Sequence, residues 1–217
     1  MSEIAYSIRR SDRARRVRVL VDPAAGVEVV LPRRARAGDA AAAVRELAPW
    51  IERRLHAFAQ ARAELGATEG EVPYLGEALT LVPEPGRTRV SRRGTELLVP
   101  SGEHRPALER WYRRRARVEI APRLDRACSV AGTSYAGLTI RAQRTRWASC
   151  SATGAMSFNW RLLLAPAGVL DSVVWHEVCH LEIADHSPRF WALLEQRFPE
   201  YRCHQRWLRR YGALLSL

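Results

Sequence analysis

Between Pro166 and Ile183 a helix would have almost no side left for water. Val169, Val173, His176, His180 and Ile183 fall on one face at helical spacing, and Leu170, Val174, Val178 and Leu181 on another. Only Asp171, Trp175 and Glu182 make a narrow polar stripe between them. A helix apolar nearly all round has to be buried, so the rest of the chain must supply layers to cover it. Yet it carries two histidines and Glu177, and such groups in a buried helix need partners or a bound ion. Ala165 and Pro166 open it, proline being suited to a first helical turn.

The spacing of those polar residues points to a metal. Residues four apart lie one turn apart on the same face, so His176 and His180 can offer imidazoles to one ion. Glu177 sits roughly 100° round the helix, badly placed as a ligand but well placed to hold a water against that ion, the general-base position of metal-assisted hydrolysis. His186 would complete the set. An ideal helix would carry it away, so a turn is expected at Ala184 and Asp185. Three nitrogens leave one position open, the pattern of a catalytic Zn²⁺ rather than a closed four-ligand structural site. Cys128, Cys150, Cys179 and Cys203 stand more than twenty residues apart without a Cys-x-x-Cys pair, which argues against a zinc ribbon. They are expected to be reduced apolar fillers, and Cys179, pointing about 60° away from His176, is not counted as a ligand.

Around this helix the chain alternates strands and helices. Residues 6–9, 17–21 and 27–31 read as an N-terminal hairpin region turning at 22–26. A helix from Gly38 to about Leu65 carries Val44, Leu47, Ile51, Leu55 and Phe58 as its core stripe, with Pro49 expected to kink or split it. Short strands follow from Val72 to Val99, with a hairpin turn at 91–95. Pro100, Ser101 and Gly102 suggest a division into 1–102, β-rich with one long helix, and 103–217, catalytic. A helix from Pro106 to Cys128 buries Leu108, Trp111, Tyr112, Ala116, Ile120 and Leu124, with Arg113, Arg114, Arg115 and Arg117 on its solvated face. Residues 138–147 and 156–164 read as two strands of a hairpin, whose edge beside the metal could cradle an extended peptide. After His186, helices are expected from Ser187 and Pro188 to Phe198 and from Glu200 to Tyr211, with Gly212 closing the last.

Charge widens the choice of partner. The net charge is +12, which invites nucleic acid, nucleotide or another polyanion, although a solvated basic surface with no dedicated partner explains it equally well. All 35 basic residues are Arg, so Lys chemistry is excluded except through the N-terminus. No apolar run approaches the roughly 18 residues needed to span a bilayer, and the N-terminus shows no apolar signal core, so a cytoplasmic location without membrane partners is expected.

Three blocks carry a family resemblance: residues 144–151 (RTRWASCS), residues 159–162 (NWRL), and His176-Glu177-Val178-Cys179-His180 followed by residues 186–191 (HSPRFW). With them the chain resembles the YgjP-like (DUF45) zinc metallopeptidases, relatives of WLM and SprT-like proteins. Similar stretches at 8–10, 27–33, 50–51 and 74–76 extend the likeness over nearly the whole chain. Ala148 departs from the Gly usual after the Trp. The resemblance implies an α+β, zincin-like metallopeptidase domain preceded by a β-rich N-terminal region. It also implies His176, His180 and His186 as zinc ligands and Glu177 as catalytic acid/base. The ligand spacing equals that of metzincins, but Ile183 stands where they carry Gly.

The reading is a zinc-dependent hydrolase acting on polypeptides. Candidate substrate-binding residues are Arg144, Arg146, Asn159, Tyr201 and His204, and the group stabilising the carbonyl oxygen stays open between Tyr201, His204 and the arginines of 144–146. Two alternatives remain: a metal-dependent nucleotide phosphoanhydride hydrolase, and a DNA-associated protease or nucleic-acid-binding protein.

Overall fold

The alternating apolar residues of 17–31 pair as β2 (Arg18–Asp22) and β3 (Gly26–Pro32), antiparallel with Val19 opposite Val29 and Val21 opposite Val27, in the computed structural model, which describes residues 4–66, 68–143 and 145–217. Asp22 shapes their turn by accepting from the N–H groups of Ala24 and Ala25. β1 (Tyr6–Ser11) lies on the other edge of β3, parallel to it, so the expected hairpin is a three-stranded sheet with β3 at its centre. Val27, Val29 and Leu31 of β3 pack with Ala40, Val44 and Ile51 of α1 (Ala37–Leu65).

Pro49 neither splits α1 nor ends it. Pro49 and Arg45, whose carbonyl loses its intrahelical donor, both lie on the exposed side, where water can replace the missing bond. The expected core stripe is only partly right: Val44, Ile51 and Phe58 are buried, but Leu47 and Leu55 are 37% and 36% exposed. A helix of 29 residues is roughly 44 Å long, whereas strands of at most seven residues reach about 23 Å, so this sheet cannot cover the whole stripe.

The chain divides after Gly66 into the units Met1–Gly66 and Ala67–Leu217, not at Gly102 as the composition of 100–102 suggested. The reason is the inner face of the second sheet. β4 (Glu71–Tyr74), β5 (Glu77–Glu84), β6 (Ser91–Arg93) and β7 (Glu96–Pro100), in the order β4-β5-β7-β6, turn Val72, Leu79, Leu97 and Val99 into one cluster with Leu108, Trp111 and Tyr112 of α2 (Arg105–Ala131). The buried stripe of α2 is the expected one, and Arg113, Arg114 and Arg117 are exposed.

A third sheet holds β8 (Gly137–Arg141), β9 (Ala148–Cys150) and β10 (Ala155–Asn159), in the order β8-β10-β9. The hairpin expected between 138–147 and 156–164 is corrected here. β10 turns back on β9, pairs parallel with β8, and gives way at Trp160–Leu164 to a 3-10 turn. Trp160, Leu162, Leu163 and Leu164 are all buried, and a short apolar run without alternation does not distinguish strand from helix. Helices α3 (Ala167–Cys179), α4 (Pro188–Arg197) and α5 (Tyr201–Tyr211) complete the unit. Arg123 of α2 pairs with Asp171 of α3 at 2.9 Å. Gly212 does not close α5 through a left-handed turn: at φ −56° it leads into a further 3-10 turn. Its missing side chain serves packing instead, since a Cβ there would lie 2.9 Å from Cζ2 of Trp147. Among the described residues no helix is long and apolar enough to cross a membrane. The architecture is α+β.

Candidate metal centre

α3 stops at Cys179, earlier than the turn expected at Ala184 and Asp185. The His180 N–H reaches the Glu177 carbonyl at 3.2 Å, and the Ile183 N–H returns to Cys179 at 3.0 Å, so the chain tightens out of the helix just past the second histidine. Asp185 accepts from the Ser187 N–H at 3.1 Å, in the segment that brings His186 back and starts α4.

This path brings three imidazoles together. Nε2 of His180 lies 3.2 Å from Nε2 of His176 and 3.2 Å from that of His186, and the last two are 3.0 Å apart. Ligands about 2.0–2.1 Å from a tetrahedral ion would be about 3.3 Å apart, so the triangle is nearly the size a zinc ion requires. His180 Nδ1 lies 3.0 Å from the Ile183 carbonyl, which can only accept. That nitrogen therefore carries the proton, and neutral His180 presents a bare Nε2 lone pair to the other two rings. At this distance that lone pair is met either by an Nε2–H of a neighbouring ring or by a cation lying among all three. Burial, aided by its two neighbours, pushes the His176 pKa down to about 4, and burial also lowers that of His180, so both are in their ligand form at neutral pH. Phe190 stacks on His180 at 4.4 Å and meets His176 edge-on, while Trp191 lies 5.5 Å from His186. The set fits a divalent cation. Cys179 takes no part: it is buried, with its sulfur 3.9 Å from an Arg197 Nη1 donor.

Glu177 is 5% exposed, and among the described residues its Oε2 has no hydrogen-bond partner. Burial pushes its pKa up to about 7, against the opposing effect of the Cys150 backbone N–H. A carboxyl left this way in a protein interior needs a water or a cation, which is the second observation that fits a metal here.

His176 and Glu177 line a cleft of about 410 Å³. Of the expected substrate-binding residues, Arg146, Tyr201 and His204 line it too. Asn159 does not. It is buried, its Nδ2 donates to the carbonyls of Gln143 (2.7 Å) and Arg146 (3.4 Å), and its Oδ1 accepts from the Arg161 N–H. These bonds tie Gln143 and Arg146 to the end of β10. Arg144 lies outside the described residues. Tyr201 stacks on Trp191, and its hydroxyl accepts from Arg202 Nε at 3.1 Å. His204 rests on the first turn of α3, where a Cβ on Gly168 would come within 2.6 Å of its ring.

Sequence reasoning missed Gln205, Leu208 and Arg209, which share this cleft. The signal was present for the first two: 201, 204, 205 and 208 follow i, i+3, i+4, i+7, one face of a helix. Nothing in the sequence could have marked Gly168, because its need arises from a contact with a residue 36 positions away.

A family model described as YgjP-like, metallopeptidase domain, matches residues 15–211. No curated protein sequence matches the chain. Among solved structures it is similar to one described as the metallopeptidase zymogen of Pyrococcus abyssi abylysin, with 23% identity and a TM-score of 0.38, over 42% of this chain and 93% of that one.

Proposed function

The chain belongs to the YgjP-like metallopeptidase family, and from that premise we propose that it is a zinc-dependent peptidase with His176, His180 and His186 as the metal ligands and Glu177 as the general base. The observation that carries this reading is the triangle of Nε2 atoms beside a buried carboxylate oxygen that has no partner among the described residues. Three imidazoles favour zinc over magnesium or calcium, which take oxygen ligands, and three protein ligands leave an open position. We read the second unit as zincin-like. The setting is cytoplasmic, where Cys128, Cys150, Cys179 and Cys203 stay free thiols.

The bound ion would supply the Lewis acidity that polarises a peptide carbonyl and makes water nucleophilic near neutral pH. Glu177 supplies the proton traffic. Burial holds its carboxyl near neutrality, and a neighbouring cation draws it down, so it starts as a carboxylate able to take a proton on Oε2 and return it to the leaving amine. Stabilisation of the carbonyl oxygen is assigned to the α5 face: the Tyr201 hydroxyl accepts from Arg202 and keeps its own proton to donate, with His204 one turn on.

The test is metal analysis together with hydrolysis of casein and of peptide substrates. One zinc per chain is expected, and Glu177→Gln should keep the zinc while lowering turnover roughly 10²–10⁴-fold. Full turnover by that variant, or a purified protein unable to take up zinc, would overturn the reading.

A further inference from the structure

The segment leading into β9 and the last turn of α5 bring Arg146 and Arg209 to the lining of the cleft that holds His176 and Glu177. Asn159 clamps that segment by its side-chain bonds to Gln143 and Arg146 and by its N–H to the Trp147 carbonyl at 2.7 Å. Trp147 in turn lies against Gly212. Arg146 and Arg209 line the cleft from these two supports. Among the described residues neither has a carboxylate partner: Arg209 donates to Gln205 Oε1 at 2.6 Å, and the Arg146 side chain makes no hydrogen bond. Glu177 is the one carboxylate in the lining, and it is committed to the metal side.

We propose that this cleft selects polypeptides presenting a carboxylate close to the scissile bond, and that Arg146 and Arg209 are the residues that bind it. Two sources share that chemistry: an Asp or Glu side chain, and the free C-terminus of the substrate. The inference rests on the peptidase reading for the identity of the chain in the cleft, but the carboxylate site is testable without cleavage.

The experiment uses one fluorescent peptide scaffold with Glu, Gln or Arg placed in turn at each position, and with the C-terminus free or amidated. Cleavage is followed with the zinc-loaded protein, and binding by anisotropy with zinc-loaded Glu177→Gln. Peptides with a carboxylate should bind and turn over roughly tenfold better than their Gln or amidated counterparts, with the advantage shrinking at high salt. Glu dependence with either terminus assigns a side-chain site, and dependence on the free terminus alone assigns a C-terminal site. In Arg146→Ala and Arg209→Ala, both at exposed positions, the ratio of Glu to Gln peptide should fall toward one, and in Arg209→Glu it should shift toward the Arg peptide. Circular dichroism and retained zinc establish that each variant is folded. Equal affinity for Glu, Gln and amidated peptides, or an unchanged ratio in both alanine variants, would overturn the proposal. Cleavage without preference refutes the site and leaves the peptidase reading standing; preferential binding without cleavage does the reverse.

Discussion

Burying Glu177 and His176 side by side sets two opposing pH dependences on the stability of the metal-free protein. The folded-state pKa of Glu177 is raised from 4.5 to about 7, so its contribution is present below 4.5 and lost as pH rises through 7. His176 is lowered from 6.5 to about 4, so its contribution is present above 6.5 and lost as pH falls through 4. Each amounts to about 3 kcal/mol, and in the wild type they largely offset each other between pH 4 and 7. Glu177→Gln removes one of them. Denaturant titrations of the chelated variant should show stability climbing more steeply from pH 4 to 6.5 than in the chelated wild type, where Glu177 opposes the rise contributed by His176 and His180; equal slopes would refute the account. His176, Glu177 and His180 could be picked out in the sequence because their relation is local: two histidines four apart on a buried helix, with the acid next to the first. The burial of Asn159 was not legible, because its partners, the Gln143 and Arg146 carbonyls, lie across a strand turn whose path the sequence does not specify.

At the scale of elements, the cleft has two supports outside its lining. Asn159→Ala would leave the Gln143 carbonyl and the Arg161 N–H without partners and release the segment leading into β9. A loss of about 2–4 kcal/mol is expected, with a higher KM and zinc content unchanged. Gly168→Ala places a methyl group 2.6 Å from the His204 ring and should push α5 outward, at a cost of about 1–3 kcal/mol. Zinc uptake should survive while kcat/KM falls; unchanged kinetics would mean that His204 has no part in the site. Helices α1, α2, α4 and α5 were readable to within a few residues from their apolar spacing and caps. The strand pairings were not. Alternation marks which residues face the core, but β8 and β10 run parallel and β9 supplies the hairpin partner, and those choices are made by long-range packing.

For the molecule as a whole, the division after Gly66 predicts how it comes apart. One hydrophobic cluster lies in Met1–Gly66, and the two others, including the aromatic wall on the histidines, lie in Ala67–Leu217. Calorimetry should resolve two transitions. Saturating zinc, which on the proposed reading would tie the end of α3 to the segment before α4, should raise only the one belonging to Ala67–Leu217, by on the order of 10 °C at a thousandfold excess over Kd. A single transition that moves as one with zinc would refute independent units. The same unit holds the unpartnered oxygen of Glu177, and that oxygen has a consequence for inheritance. A lineage selected only to stay folded would soon exchange Glu177 for an apolar residue of similar volume, because among the described residues its Oε2 is buried without a hydrogen-bond partner. Persistence of the acid through descent would therefore record use, independently of any assay.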